Sequence, residues 1–163
     1  MTRFKYMVLC LVTPFILILD QISKAFIVKY LPLGGKFTIW PFFDIVHVRN
    51  RGAAFGILSG WNSHYRDILF YIFALLAFIF LVHYLISIKE KHRWQMFPVA
   101  MILGGALGNV SDRVFRGSVV DFLSFHWYDL AWPSFNVADS AISVGVVGLM
   151  IAMMRESKTQ KGV

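Results

Sequence analysis

The sequence predicts an all-α membrane protein, four transmembrane helices with a small outer β-sheet and surface loop, and three observations predict it. Of 163 residues, 58% are hydrophobic and only 15% charged, a balance that belongs to membrane proteins and not to soluble cores. The apolar residues gather into four runs, about Tyr6 to Tyr30, Ile68 to Ile88, Trp94 to Ser111 and Phe135 to Met154, each near the ~20 residues that a ~30 Å hydrocarbon core requires. The basic residues flank these runs instead of covering one polar face, so the net charge of +7 reads as juxtamembrane placement and argues against a nucleic-acid partner. No internal repeat or low-complexity linker divides the chain, and residues 1–163 read as a single integral-membrane domain.

The first helix, about 6–30, follows Arg3 and Lys5, and Ser23-Lys24-Ala25 offers the small-x-small pattern of a cleaved signal peptide. Asp20, Gln21 and Lys24 interrupt the run, however, and apolar character resumes through Phe26, Ile27, Val28 and Tyr30, so the segment reads as a span. At ~100° per residue Cys10, Thr13, Leu17, Asp20 and Lys24 share one sector, which should face protein. Asp20 and Lys24 are spaced i, i+4 and form a structural polar pair, with a direct role in chemistry as the alternative. The single cysteine, Cys10, excludes disulfides and reads as a small buried hydrophobe.

The outer loop, residues 31–66, is too long to be a mere connection. Phe37 to Trp40 and Ile45 to Val48 have strand-forming composition around a Pro41 turn, which predicts a small sheet on the membrane surface. The run Asn50-Arg51-Gly52-Ala53-Ala54-Phe55-Gly56 would let another backbone approach closely, either a peptide substrate or a helix end. The second helix, about 68–88, offers only His83 among its apolar residues. His47, His64, His92 and His126 show no paired spacing, so neither metal nor cofactor is expected.

The third helix, about 94–111, carries Ala100, Gly104 and Gly108 every four residues, a face for close helix packing. Asn109 and the pair Asp112-Arg113 follow at its outer end, where Arg113 and Arg116 could also meet lipid phosphates. In the fourth helix, about 135–154, Ala141, Gly145, Gly148 and Ala152 form a second small stripe opposite Asp139, Ser143, Val146 and Met150. If the small stripe packs on a neighbour, Asp139 looks across an apolar groove; otherwise Val146 and Met150 simply touch lipid. Lysines and arginines divide evenly between the two sides of the membrane, and the compact Lys89 to Arg93 turn favours cytoplasmic termini.

An ionisable group inside an apolar segment costs ~3 kcal/mol or more, which marks Asp139 as functional and Asp121 as its partner. The sequence has no nucleophile-elbow serine, no placed cysteine and no phosphate-cradling glycine loop. Two carboxyl groups ~3 Å apart share one proton, so one can act as base on a water while the other donates to a carbonyl. That is aspartyl peptidase chemistry. A proton- or ion-coupled small transporter, which also places aspartates in the membrane, is the alternative that the residues leave open.

Five blocks run in order along most of the chain: Asp20-Gln21-x-x-Lys24, Asn50-x-Gly52-x-Ala54-Phe55-Gly56, Gly104-Gly105-x-x-Gly108-Asn109-x-x-Asp112-Arg113, Val119-Val120-Asp121-Phe122 and Phe135-Asn136-Val137-Ala138-Asp139-Ser140. Together they resemble the successive motifs of the bacterial lipoprotein signal peptidases, signal peptidase II of peptidase family A8. The resemblance implies a multi-pass inner-membrane enzyme with a periplasmic-side active site and both termini cytoplasmic. It implies an aspartic endopeptidase that removes the signal peptide from diacylglyceryl-modified prolipoproteins, cleaving before the lipidated cysteine, and that is blocked by the cyclic peptide globomycin. It makes Asp121 and Asp139 the catalytic dyad, with Asn50, Asn109, Arg113, Asn136 and Ala138 lining or supporting the site; Gly52, Gly108, Asp112 and Arg116, within or next to the same blocks, are further candidates for substrate binding or site support. Trp127, Tyr128 and Trp132 would anchor the protein in the lipid interface, and a monomer is expected.

Overall fold

The structure, a computed structural model, describes residues 3–51, 63–88, 90–128 and 130–161. The chain runs α1 (Arg3–Tyr30), β1 (Lys36–Trp40), β2 (Phe43–Asn50), α2 (Ser63–Ser87), a 3-10 turn (Glu90–Gln95), α3 (Met96–Arg116), β3 (Val119–Trp127), β4 (Leu130–Ala131) and α4 (Val137–Lys161). The four helices are those the apolar runs predict, each shifted by a few residues at one or both ends. The sheet is larger than expected. Its strands lie in the order β1-β2-β3-β4, all antiparallel, whereas only the β1–β2 hairpin was legible in the composition of the loop.

Glycines in α3 set the helix spacing. A Cβ on Gly108 would sit 2.6 Å from Asp20 Oδ2 in α1 and 3.3 Å from the Ala138 side chain in α4, and one on Gly105 would strike the Ala138 carbonyl. Without side chains there, α3 packs tightly between α1 and α4. The small stripe of α4 faces α3: Ala141 is buried, and a Cβ on Gly145 would meet Ile102 and the Pro98 carbonyl. Val146 and Met150, on the other side of α4, are exposed. α3 ends at Gly117, whose φ of 68° supplies the left-handed turn that closes the helix and sends the chain into β3.

The apolar core lies toward the chain termini, where Val8, Leu81, Leu85, Ile88, Met96, Val99, Ala100 and Leu103 pack together. Lys5 Nζ donates to the Ile88 carbonyl just past the end of α2, and Tyr84 Oη donates to Gln95 Oε1 at 2.7 Å. α2 is buried only at this end. Most of its earlier described side chains, Tyr65, Ile68, Tyr71, Ile72 and Phe73 among them, are exposed.

Exposed apolar residues also cover the outsides of α1 and α4, including Leu11, Phe15, Ile18, Phe26, Val144 and Ile151. Among the described residues two helical segments, Arg3–Tyr30 and Val137–Arg155, are long and apolar enough to cross a membrane, and Tyr71–Ser87 is a shorter apolar one. Cys10 corrects the sequence reading: it is exposed on α1, not buried, because the inward positions along this stretch are Lys5, Val8 and Thr13, the last with its hydroxyl donating to the Ala100 carbonyl at 3.1 Å.

Candidate active site

Four elements converge on one polar cluster: the second half of α1, the last turns of α3, the start of β3 and the first turn of α4. Asn136 sits at the N-terminus of α4. Its Oδ1 accepts the Asp139 backbone N–H at 2.9 Å, and Asp139 Oδ2 accepts the Asn136 backbone N–H at 3.3 Å. This reciprocal pair is a capping box, which satisfies two helix-start donors and fixes the Asp139 side chain against the helix end. A second carboxylate completes the cap, as Asp20 Oδ1 accepts the Ala138 N–H at 2.9 Å.

Asp121 stands on β3, which lies next to β2 with Val48 opposite Asp121 beside a break in register. Asn136 Nδ2 donates to Asp121 Oδ1 at 2.7 Å, and Asn50 Nδ2 from the end of β2 donates to Oδ2 at 3.0 Å. One residue, Asn136, therefore bonds to Asp121 through its amide and to Asp139 through its backbone and its side-chain oxygen. The two acids differ in setting. Asp121 is 2% exposed, while Asp139 is half-buried. Burial pushes the Asp121 carboxyl up to about 6; the amide bonds from Asn50 and Asn136 oppose this, and the charge of Asp139 adds to it.

Asn109 reaches the same place from α3, its Nδ2 donating to Asp139 Oδ1 at 2.7 Å. Below it lies an ionic cluster. Lys24, fully buried, is 2.8 Å from Asp20, 3.2 Å from Asp112 and 3.1 Å from Asn109 Oδ1. Asp112 also pairs with Arg116 and accepts the Val120 N–H at 2.9 Å, so it holds the start of β3 against the end of α3. Arg113 Nη1 lies 3.4 Å from the Asn109 carbonyl.

The structure thus brings together Asp20, Lys24, Asn50, Gly108, Asn109, Asp112, Arg113, Arg116, Asp121, Asn136, Ala138 and Asp139. Gly52 lies outside the described residues. Arg116 turns inward to Asp112 and to Gln21 Oε1, the latter at 2.7 Å, and not toward lipid phosphate. Trp127 and Trp132 are exposed at the far end of β3, on the order of 20 Å along the strand from Asp121. They line an apolar cavity of 580 Å³ with Phe42, Phe125, His126, Leu130 and Ala131.

Sequence reasoning missed Gln21 as a cluster member. Its amide donates to Asp20 at 3.1 Å, to the Gly108 carbonyl at 3.1 Å and to Asp112 at 3.3 Å. A polar residue beside Asp20 in an otherwise apolar run was the available signal. Among the described residues no group of three or more side chains is arranged to hold a metal ion.

Two carboxyl groups joined through one asparagine, at the edge of a membrane-type bundle and supported by amides, suit hydrolysis by an activated water. Comparison with known proteins bears on that chemistry directly. The profile of the family described as signal peptidase (SPase) II matches residues 12–155. The chain belongs to the signal peptidase II family.

Relatives agree along nearly the whole length. A lipoprotein signal peptidase of Syntrophotalea carbinolica is 44% identical over 153 residues, covering 93% of this chain and 94% of the relative. One from Aeromonas hydrophila is 43% identical over 148 residues, covering 86% and 84%. A solved bacterial membrane enzyme superposes with a TM-score of 0.82 at 34% identity, covering 93% of this chain and 90% of its own. A second superposes at 0.78 with 35% identity, covering 89% and 91%. As a signal peptidase II, the protein is a peptidase and a membrane enzyme, and the transporter alternative has no support.

Proposed function

We propose that this protein is an intramembrane aspartic endopeptidase whose dyad is Asp121 and Asp139, and that it removes the signal peptide from diacylglyceryl-modified prolipoproteins by cleaving before the lipidated cysteine. The observation that carries the dyad is the placement of both acids on Asn136. In this reading the pair holds one proton and a water between its carboxyl groups. The ionised acid takes a proton from the water as its oxygen bonds to the scissile carbonyl carbon, and the protonated acid donates to the carbonyl oxygen. Collapse of the tetrahedral species then breaks the C–N bond, and the amine leaves with a proton returned by the pair.

The difference in exposure suits this division of labour. The half-buried Asp139 is the acid more accessible to water and substrate, while the buried Asp121 is the group whose proton is held longer. Asn109 and Asn136 keep the carboxyl groups oriented, and Arg113 lies near enough to balance their charge.

All four helices cross the inner membrane as one integral domain, with both termini cytoplasmic and the sheet on the periplasmic side. The exposed apolar faces of α1 and α4 support this arrangement, as does the exposure of Trp127, Tyr128 and Trp132 on the sheet, where aromatic residues suit the lipid interface. The apolar signal segment of the substrate lies against the bundle, with its diacylglyceryl group in the outer leaflet. The protein acts as a monomer, needs no cofactor and is blocked by globomycin.

The test is incubation of the purified protein with a diacylglyceryl-cysteine precursor, with and without globomycin. Release of the signal peptide that globomycin suppresses is expected. A precursor left intact by folded protein would remove the reading.

A further inference from the structure

We propose that Lys24 is a positioning residue for the acid pair: by occupying the amide oxygen of Asn109, it compels the amide nitrogen to face Asp139. The inference rests on the assignment of Asp121 and Asp139 as the dyad. An ion pair with Asp20 alone is the plainer account of Lys24, and the geometry exceeds it.

An ammonium group has three N–H donors and no acceptor. Lys24 Nζ meets three acceptors, Asp20 Oδ2 at 2.8 Å, Asp112 Oδ2 at 3.2 Å and Asn109 Oδ1 at 3.1 Å. Asn109 can face an ammonium only with its oxygen. Its Nδ2 then necessarily points to the opposite side, where Asp139 Oδ1 lies at 2.7 Å. Asn136 Nδ2, 3.3 Å from Asn109 Oδ1, favours the same orientation. The oxygen and nitrogen ends of an asparagine amide have nearly the same shape, so packing alone does not choose between them. Charge does, and the buried Lys24, 0% exposed, supplies it.

The same logic recurs at the other acid. The Asp139 backbone N–H occupies Asn136 Oδ1 at 2.9 Å, which leaves Asn136 Nδ2 to face Asp121 at 2.7 Å. Each acid is therefore held by an amide whose orientation is dictated from behind by a group that can only donate. Without Lys24, the longer contact from Asn136 alone would orient Asn109. A reversed amide would set oxygen against the Asp139 carboxylate, which would turn from its place beside Asp121.

A double-mutant cycle separates this from a structural role. Lys24→Met, Asn109→Ala and the combination are assayed on a diacylglyceryl-cysteine precursor, with melting followed in detergent. A charge-assisted hydrogen bond of the usual strength predicts that Lys24→Met lowers kcat about 30-fold with KM changed less than about threefold. In the Asn109→Ala background the same substitution should cost less than about twofold. Losses that multiply, or that fall on KM or melting temperature with kcat unchanged, overturn the proposal.

Removing the cation alone takes the ammonium partner from two buried carboxylates, Asp20 and Asp112, and can prevent folding. The charge-balanced variant Lys24→Met with Asp112→Asn is therefore compared with Asp112→Asn alone: the same fall in kcat is expected, and equal kcat overturns the proposal. Asp121→Asn and Asp139→Asn tell the two failures apart. If either cleaves normally, the dyad assignment fails; if both are inactive while the Lys24 variants keep their kcat, only the positioning role fails.

Discussion

Asp20 Oδ1 accepts the backbone N–H of Ala138 at 2.9 Å, across 118 positions of sequence. A carboxylate from the first helix thereby closes the start of the last, one residue before Asp139. Its other oxygen pairs with Lys24 at 2.8 Å, so the ion pair of α1 and the cap of α4 are one structure. Asp20→Ala leaves Lys24 and the Ala138 N–H without this partner, and the loss should be about 3–5 kcal/mol of stability. Thermal melting in detergent measures it. A variant that melts with the wild type would show that α4 is held by other contacts.

Asp121→Asn and Asp139→Asn should each lower cleavage about 100- to 10,000-fold, the contribution typical of a general acid or base. Both variants should remain folded, because an asparagine preserves the shape of the side chain. Turnover of a lipidated precursor is the measurement, and near-normal turnover by either variant removes it from the dyad.

Asp112→Asn should behave differently. The residue bonds to Lys24, Arg116 and the Val120 N–H, all of them supports for the site and none of them a reacting group. A loss of about 2–4 kcal/mol in stability is expected, with cleavage reduced but present. Complete loss of cleavage in a well-folded variant would place Asp112 in the mechanism.

The raised Asp121 carboxyl makes stability depend on pH. Its value moves from 3.8 to about 6 on folding because burial disfavours the charge. The folded protein holds a proton that the unfolded chain has already released, so this contribution is greatest below 3.8 and is lost as pH rises through about 6. Asp121→Asn carries no such dependence. Relative to the wild type it should gain stability between pH 4 and pH 8, by about 1–3 kcal/mol, which melting curves at the two pH values would detect. An unchanged difference between the two proteins would show that Asp121 ionises as freely in the fold as outside it.

Gly108→Ala should also be costly. The added methyl would lie 2.6 Å from Asp20 Oδ2, so the carboxylate that caps α4 has to move. Overpacking of this kind costs about 1–3 kcal/mol, and precursor cleavage should fall with stability. Wild-type melting and turnover in this variant would mean that α1 and α3 separate without strain.

Asp139 was legible because a charge in an apolar run has few bland explanations, and Lys24 with Asp20 because helical spacing puts them on one face. The strand that carries Asp121 was not. Val119 to Phe122 is a short apolar stretch interrupted by one acid, and its β-structure comes from pairing with β2, about 70 residues earlier. The linking role of Asn136 could have been read. Asn136-Val137-Ala138-Asp139 has the spacing of a capping box, which places Asn136 at the helix start and locks Asp139 to it before any tertiary contact is known. The meeting of that cap with Asn109 and Lys24 depends on how closely α3 approaches α4, and that distance follows from glycines whose partners the linear order does not reveal.

α2 is gripped at Leu81 and Leu85, with Ile88 just past its end, and most of its other described apolar side chains are exposed. The hydrogen bonds that hold Asp121 and Asp139 come from the end of β2, from α3 and from the start of α4, so the geometry of the acid pair rests on elements other than this sparsely anchored helix.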